Sequence, residues 1–263
     1  MKDLAIVVNN YNEIISQKDT IDIIKSSGFN NVFLQWYDKN DLDLNQNEQI
    51  KYARKNNLNI IFAHLKFQNI DSLWENSEIT KIEIEKYKND LKILKENNIN
   101  LVIMHAIRRL KLDRNNKYFL NNIREIINYA EKLKIKIAFE NTKVEGVLEY
   151  IFDNIDSKYI GVCYDSGHDH AFFNDKFNFE RFKNKILAVH IHDNFGEHDE
   201  HLLPFDGTIN YEKVMTKLKK NNYDGPITLE LCYRKEYKEK YNPIEFYNEA
   251  YKRGTKLKDI IDK

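Results

Sequence analysis

The sequence predicts an α/β protein: a single (β/α)8 TIM barrel over residues 1–263, with a metal site at its C-terminal mouth. Three observations predict it. Apolar, β-branched runs alternate with helical segments eight times along the chain. Within the clearest runs one face is bulky and the other small, as the wall of a closed barrel requires. Run after run then ends in a histidine, aspartate or glutamate.

Taken in order, residues 4–9 (LAIVVN) read as the first strand, and 19–27 as a helix closed by Gly28 at its C-cap. Residues 31–36 are the second strand, followed by a helix at 45–57. The third strand, 58–64 (LNIIFAH), precedes a loop and the helix 78–97. Residues 100–105 (NLVIMH) are the fourth strand, with a helix near 115–133. The fifth, 135–141 (IKIAFEN), is followed by a short helix at 145–153. The sixth, 159–165 (YIGVCYD), is followed by a helix placed near 177–184. The seventh, 186–192 (ILAVHIH), precedes a long polar loop and the helix 211–222. The eighth, 226–231 (PITLEL), leads through a solvated loop or helix start at 233–241 to the last helix, 243–258.

Side chains on a strand alternate between faces. In the fifth strand Ile135, Ile137 and Phe139 share one face, and Lys136, Ala138 and Glu140 the other. In the sixth, Gly161, Cys163 and Asp165 oppose Ile160, Val162 and Tyr164. In the seventh, Ala188, His190 and His192 oppose Leu187, Val189 and Ile191. In the eighth, Thr228 and Glu230 oppose Ile227, Leu229 and Leu231. The bulky face packs on helices. The small face ends in a metal-type ligand, which places a site at the barrel mouth.

Composition narrows the function. Lys+Arg and Asp+Glu both number 41, so the formal net charge is zero, which disfavours binding to polyanionic nucleic acid. The two cysteines, Cys163 and Cys232, suit a reduced cytoplasmic protein. Cys163 is expected to pack inside the barrel and Cys232 to point outward. The N-terminal apolar run is too short for a signal peptide, and no apolar stretch approaches the ~18 residues of a membrane span.

The strand ends and the loop after the seventh strand collect His64, His105, Glu140, Asp165, His168, His190, Asp199, His201 and Glu230. A lone His64 or His105 reads as a hydrogen-bonded core histidine, and a lone Glu230 as a strand-end ion pair. Their convergence reads as a shared cation site. Nitrogen and oxygen donors together suit Zn, Mn, Co or Fe, and less well Mg. Lys66, Arg108, Arg109 and Lys143 follow strand ends and are candidates to meet a phosphate, against the plainer reading of solvated loop cations. Trp36, Tyr37 and Phe67 are candidate pocket walls, against rim packing.

The stretches FAHLKF, VIMHAI, AFENT, GVCYDSGHDHA, VHIHDN, DEHLLPFDGTI and GPITLEL resemble the xylose-isomerase-like barrel superfamily. That group contains sugar isomerases, sugar epimerases and class II AP endonucleases. The resemblance implies one divalent ion (Mn, Zn, Co or Mg) on Glu140, Asp165, His190 and Glu230, with Glu140 and Glu230 as the proton-transferring pair. It implies a sugar or sugar phosphate isomerised or epimerised through an enediolate, for which His168, His64, His105, Lys143 and Trp36 are the expected substrate contacts. The alternative it carries is a phosphodiesterase on abasic DNA with up to three zinc ions, the further ligands being His64, His105, His168, Asp199 and His201. A related metal-dependent dehydratase is the third option. The chain departs from the endonuclease pattern at Glu200, where that pattern has arginine, and from the epimerase pattern in having no arginine between His190 and His201. Its expected partners are a small sugar or sugar phosphate and, in a homo-oligomer, further copies of itself, not a membrane.

Overall fold

Eight parallel strands form one sheet that curls until its ends meet. The computed structural model describes residues 3–8, 15–36 and 43–262. The strands are β1 (Leu4–Val8), β2 (Asn31–Gln35), β3 (Asn59–His64), β4 (Leu101–Met104), β5 (Lys136–Glu140), β6 (Ile160–Asp165), β7 (Ile186–His190) and β8 (Ile227–Leu229). From β1 to β7 each pairs with the next, and β1 also pairs with β8. The seam between β7 and β8 closes through one bridge: Ile191 N–H donates to Thr228 O at 2.9 Å, and Glu230 N–H to Ile191 O at 3.1 Å. The (β/α)8 barrel read from the alternation is the fold found.

The helices are α1 (Gln17–Ser26), α2 (Gln46–Lys55), α3 (Glu78–Glu96), α4 (Lys117–Leu133), α5 (Val147–Asn154), α6 (Ser166–Phe173), α7 (Tyr211–Lys220), α8 (Lys235–Lys238) and α9 (Pro243–Asp262). Their starts follow from local chemistry. Ser16, Asn45, Ser77, Asn116 and Asn210 each turn a side-chain oxygen onto a first-turn amide that would otherwise lack a partner. Helix α4 buries Phe119, Ile123, Ile126, Ile127 and Ala130, a spacing of three and four that lines one face against the sheet. Among the described residues no helix is long and apolar enough to cross a membrane.

One helix is not where the sequence suggested. The sequence places that helix near 177–184. It is a chain of turns instead, with the rings of Phe177 and Phe179 packed on each other and on Tyr164, and that of Phe182 stacked on Phe177. The helix after β6 is α6, which starts without any loop because Asp165 ends the strand and caps the helix, its Oδ1 accepting from His168 N–H at 2.7 Å. Its sequence, SGHDHAFF, has no amphipathic stripe, and so no period to detect.

Inside the barrel the large and small residues complement each other. Phe33 and Phe62 fill the space beneath the mouth, their centroids 4.7 Å apart, and both rings lie against His190. The small Ala138, Cys163, Ala188 and Thr228, all buried, occupy the layer just below the polar strand ends. Cys163 is a packing residue, its thiol pushed up by burial to about 12. Cys232, expected outside, is half-buried in the loop beyond β8, where strand alternation no longer applies.

Candidate metal centre

Each strand end delivers its polar side chain to the same mouth because each sits at inward parity one layer above the small residues. Glu140 is the hub. Its Oε2 accepts from His64 Nε2 at 3.0 Å and His105 Nε2 at 2.9 Å, and its Oε1 from His190 Nδ1 at 2.9 Å. His190 Nδ1 also lies 3.3 Å from Glu230 Oε2 and 3.8 Å from Asp165 Oδ2. One donor atom from each of Glu140, Asp165, His190 and Glu230 falls within 4.8 Å of all the others, and all four residues are buried.

A second half of the cluster hangs on the loop after β7. His168 Nε2 is 3.4 Å from Asp199 Oδ2, and its Nδ1 bonds Asn141 O at 2.9 Å. His201 Nε2 meets Asp199 Oδ2 at 3.2 Å, while its Nδ1 bonds Glu230 O at 3.0 Å. His192, Glu230 and His201 form a further group of donors within 4.8 Å of one another. Six of the chain's eight histidines thus meet here: His64, His105, His168, His190, His192 and His201. His192 was legible as an inward residue of the seventh strand but was not singled out as a site residue. Its ring stacks on His201 at 4.1 Å and reaches Asp165 Oδ1 at 3.2 Å.

The electrostatics follow from this packing of opposite charges. Burial works against ionising Glu140, yet His190 and His105 hold its carboxyl well below the usual range. Asp165 and Asp199 are likewise held down against burial, the first by His168 and His192, the second by His201 and His168. Burial opposes charge on His168 too, but Asp165, Asp199 and Glu140 outweigh it and raise the imidazole to about 10. His105 goes the other way: burial dominates and lowers it.

The other expected site residues separate. Phe67 stacks on His105 with centroids 4.2 Å apart. Trp36 is fully buried, its backbone N–H donating to His64 O at 2.8 Å, so it presents no surface to a ligand. Tyr37 lies outside the described residues. Lys143 is exposed. Lys66 is held 3.5 Å from Asp90.

The loop from β7 to α7 is organised by Asp193. This buried carboxylate accepts from the amides of Asn194 at 2.9 Å, Phe205 at 2.9 Å and Ile209 at 3.2 Å, and its backbone bridges Leu202. Close approach also matters at Gly167, where an added Cβ would lie 1.9 Å from His192 Cε1. Gly167→Ala must therefore push His192 off Asp165. The expected result is a loss of ~1–3 kcal/mol from overpacking, read by chemical denaturation with no change in circular dichroism. A variant as stable as the parent would contradict the contact.

A family model described as xylose isomerase-like TIM barrel matches residues 21–254. An uncharacterized protein of Methanocaldococcus jannaschii is 32% identical over 187 residues, covering 65% of this chain and 64% of that one. The chain thus spans somewhat under two thirds of that relative's length. Among solved structures, a D-tagatose 3-epimerase-like protein is 26% identical with a TM-score of 0.78, covering 100% of this chain and 97% of the other. D-psicose 3-epimerase with D-tagatose, from Clostridium cellulolyticum H10, shares the fold at 16% identity and a TM-score of 0.71, covering 100% and 98%. With the matched region running from α1 into α9, the chain belongs to the xylose isomerase-like TIM barrel family.

Proposed function

We propose that the protein is a divalent-metal-dependent sugar or sugar phosphate isomerase or epimerase, working by proton transfer next to a carbonyl. The observation that carries this is the convergence of Glu140, Asp165, His190 and Glu230. The donor set fits an ion. Metal–ligand bonds of about 2.0–2.2 Å place neighbouring ligands about 3–4 Å apart, and His190 Nδ1 lies 2.9, 3.3 and 3.8 Å from the three carboxylates. Three buried carboxylates this close call for a cation. Asp199 Oδ1, 3.6 Å from His192 Nε2, and His192 Nδ1 are both buried and have no hydrogen-bond partner among the described residues.

Such an ion supplies Lewis acidity toward the substrate's carbonyl and neighbouring hydroxyl. The chain's own side chains do the rest. Glu140 and Glu230 reach the site from strands three apart in the barrel order and flank His190. One carboxylate takes the proton from the carbon beside the carbonyl, and the other returns it, which moves the carbonyl or inverts the carbon. A positioned base of this kind is worth on the order of 10²–10⁴-fold. His64 and His105 hold Glu140 Oε2, which fixes the direction in which Oε1 points. His168, tied to Asn141 O, sets its Nε2 3.4 Å from Asp199 Oδ2, so a substrate hydroxyl would meet the two side chains together. The likeness to a D-tagatose 3-epimerase-like protein supports a ketose as the substrate class.

Turnover of ketoses in deuterated water tests this. Label is expected at the carbon beside the carbonyl, and turnover without label would exclude proton exchange at that carbon. A second reading has one observation in its favour: His64 and His105 on Glu140, and His168 and His201 on Asp199, extend the cluster beyond one ion. Three zinc ions per chain with nicking of an abasic duplex would establish that phosphodiesterase reading instead.

A further inference from the structure

The rim of the mouth is charged unevenly. Past β4 the loop carries Arg108, Arg109, Lys111 and Arg114, with Asp113 as its only acid. Across the mouth, the loop after β7 carries Glu197, Asp199 and Glu200. Arg108 is the member built into the site wall. Its Cζ lies 5.6 Å over the Phe67 ring, and Phe67 in turn stacks on His105 at 4.2 Å, which bonds Glu140. The backbone that presents it is locked, because both carboxylate oxygens of Asp71 accept amides of this loop, from Arg108 at 2.7 Å and Arg109 at 2.8 Å. The guanidinium itself is nearly free: its one hydrogen bond among the described residues is a long one, to Gln68 O at 3.4 Å. Lys66 is already taken by Asp90 and adds nothing.

A guanidinium on a half-buried residue, held by cation–π contact over a fixed backbone and with most of its donors unspent, is a receptor for a bidentate anion. We propose that Arg108 binds a phosphate at the far end of a phosphorylated polyol whose reactive end lies at Glu140 and Glu230. The polyol half rests on the function proposed above, whereas the anion half rests on Arg108 and its neighbours alone. Arg109 is exposed with its side chain turned to solvent, and is not part of the seat.

The test uses unreactive ligands and the metal-loaded protein. Binding of a pentitol phosphate and of the unphosphorylated pentitol is measured by calorimetry for the wild type, Arg108→Ala and Arg109→Ala, with metal content checked in each. The phosphorylated ligand is expected to bind at least about tenfold tighter to the wild type. Arg108→Ala should lose about 10- to 100-fold for it and leave the pentitol unchanged. Arg109→Ala should lose little. Equal affinity for the two pentitols, or an advantage that survives Arg108→Ala, overturns the proposal. If neither pentitol binds, inorganic phosphate decides: Arg108-dependent binding upholds the anion seat while the polyol reading falls, and binding that ignores Arg108 removes both.

Discussion

Glu140→Gln is expected to abolish ion retention and to lower isomerase or epimerase activity by at least on the order of 10²–10⁴-fold. The side chain keeps its volume, so packing is not the cause. The carboxylate's two oxygens accept from three imidazoles, His64, His105 and His190. An amide replaces one of those acceptors with a donor, so at least one imidazole N–H then faces N–H. The negative charge that His190 and His105 stabilise in the buried site also disappears. Metal analysis of protein purified without chelator, paired with a turnover assay and circular dichroism, checks the result. A folded variant that keeps its metal and stays within tenfold of parental activity would remove Glu140 from the centre of the scheme.

Asp193→Ala should produce the largest loss of stability of any single substitution in the loop after β7, about 3 kcal/mol or roughly 6–12 °C in Tm. The residue is fully buried, and its carboxylate satisfies the amides of Asn194, Phe205 and Ile209. Alanine strands all three away from water, each at ~1 kcal/mol or more. Asp193→Asn keeps one acceptor oxygen and should lose about half as much. The same loop carries Asp199 and His201, so metal binding should weaken in parallel with the melting temperature. An Asp193→Ala protein that melts with the wild type would show that the loop is held by something else.

Alternation with a period of two made most of the barrel legible. It placed Glu140, Asp165, His190 and Glu230 on one inner surface, and these are the residues whose donor atoms meet. His192 obeyed the same parity but was passed over, because its role depends on His201 and Asp165, which no local pattern ties to it. Helix α6 escaped because a run of histidine and aspartate carries no apolar stripe. Trp36 sat beside a strand end, yet burial there removed it from any pocket. Asp193 shows the limit most plainly: its partners Phe205 and Ile209 are 12 and 16 residues away, a distance over which spacing has no meaning.

A sheet wound into a cylinder must be fastened somewhere, and here the fastening is slight. Among the described residues a single bridge, Ile191 to Leu229, joins β7 to β8; His190 precedes the first of these and Glu230 follows the second. The joint with the fewest rungs therefore runs beside two of the four candidate metal ligands. A widening of that weld would part the His190 imidazole from the Glu230 carboxylate, now 3.3 Å away, and so loosen the group of donors together with the cylinder.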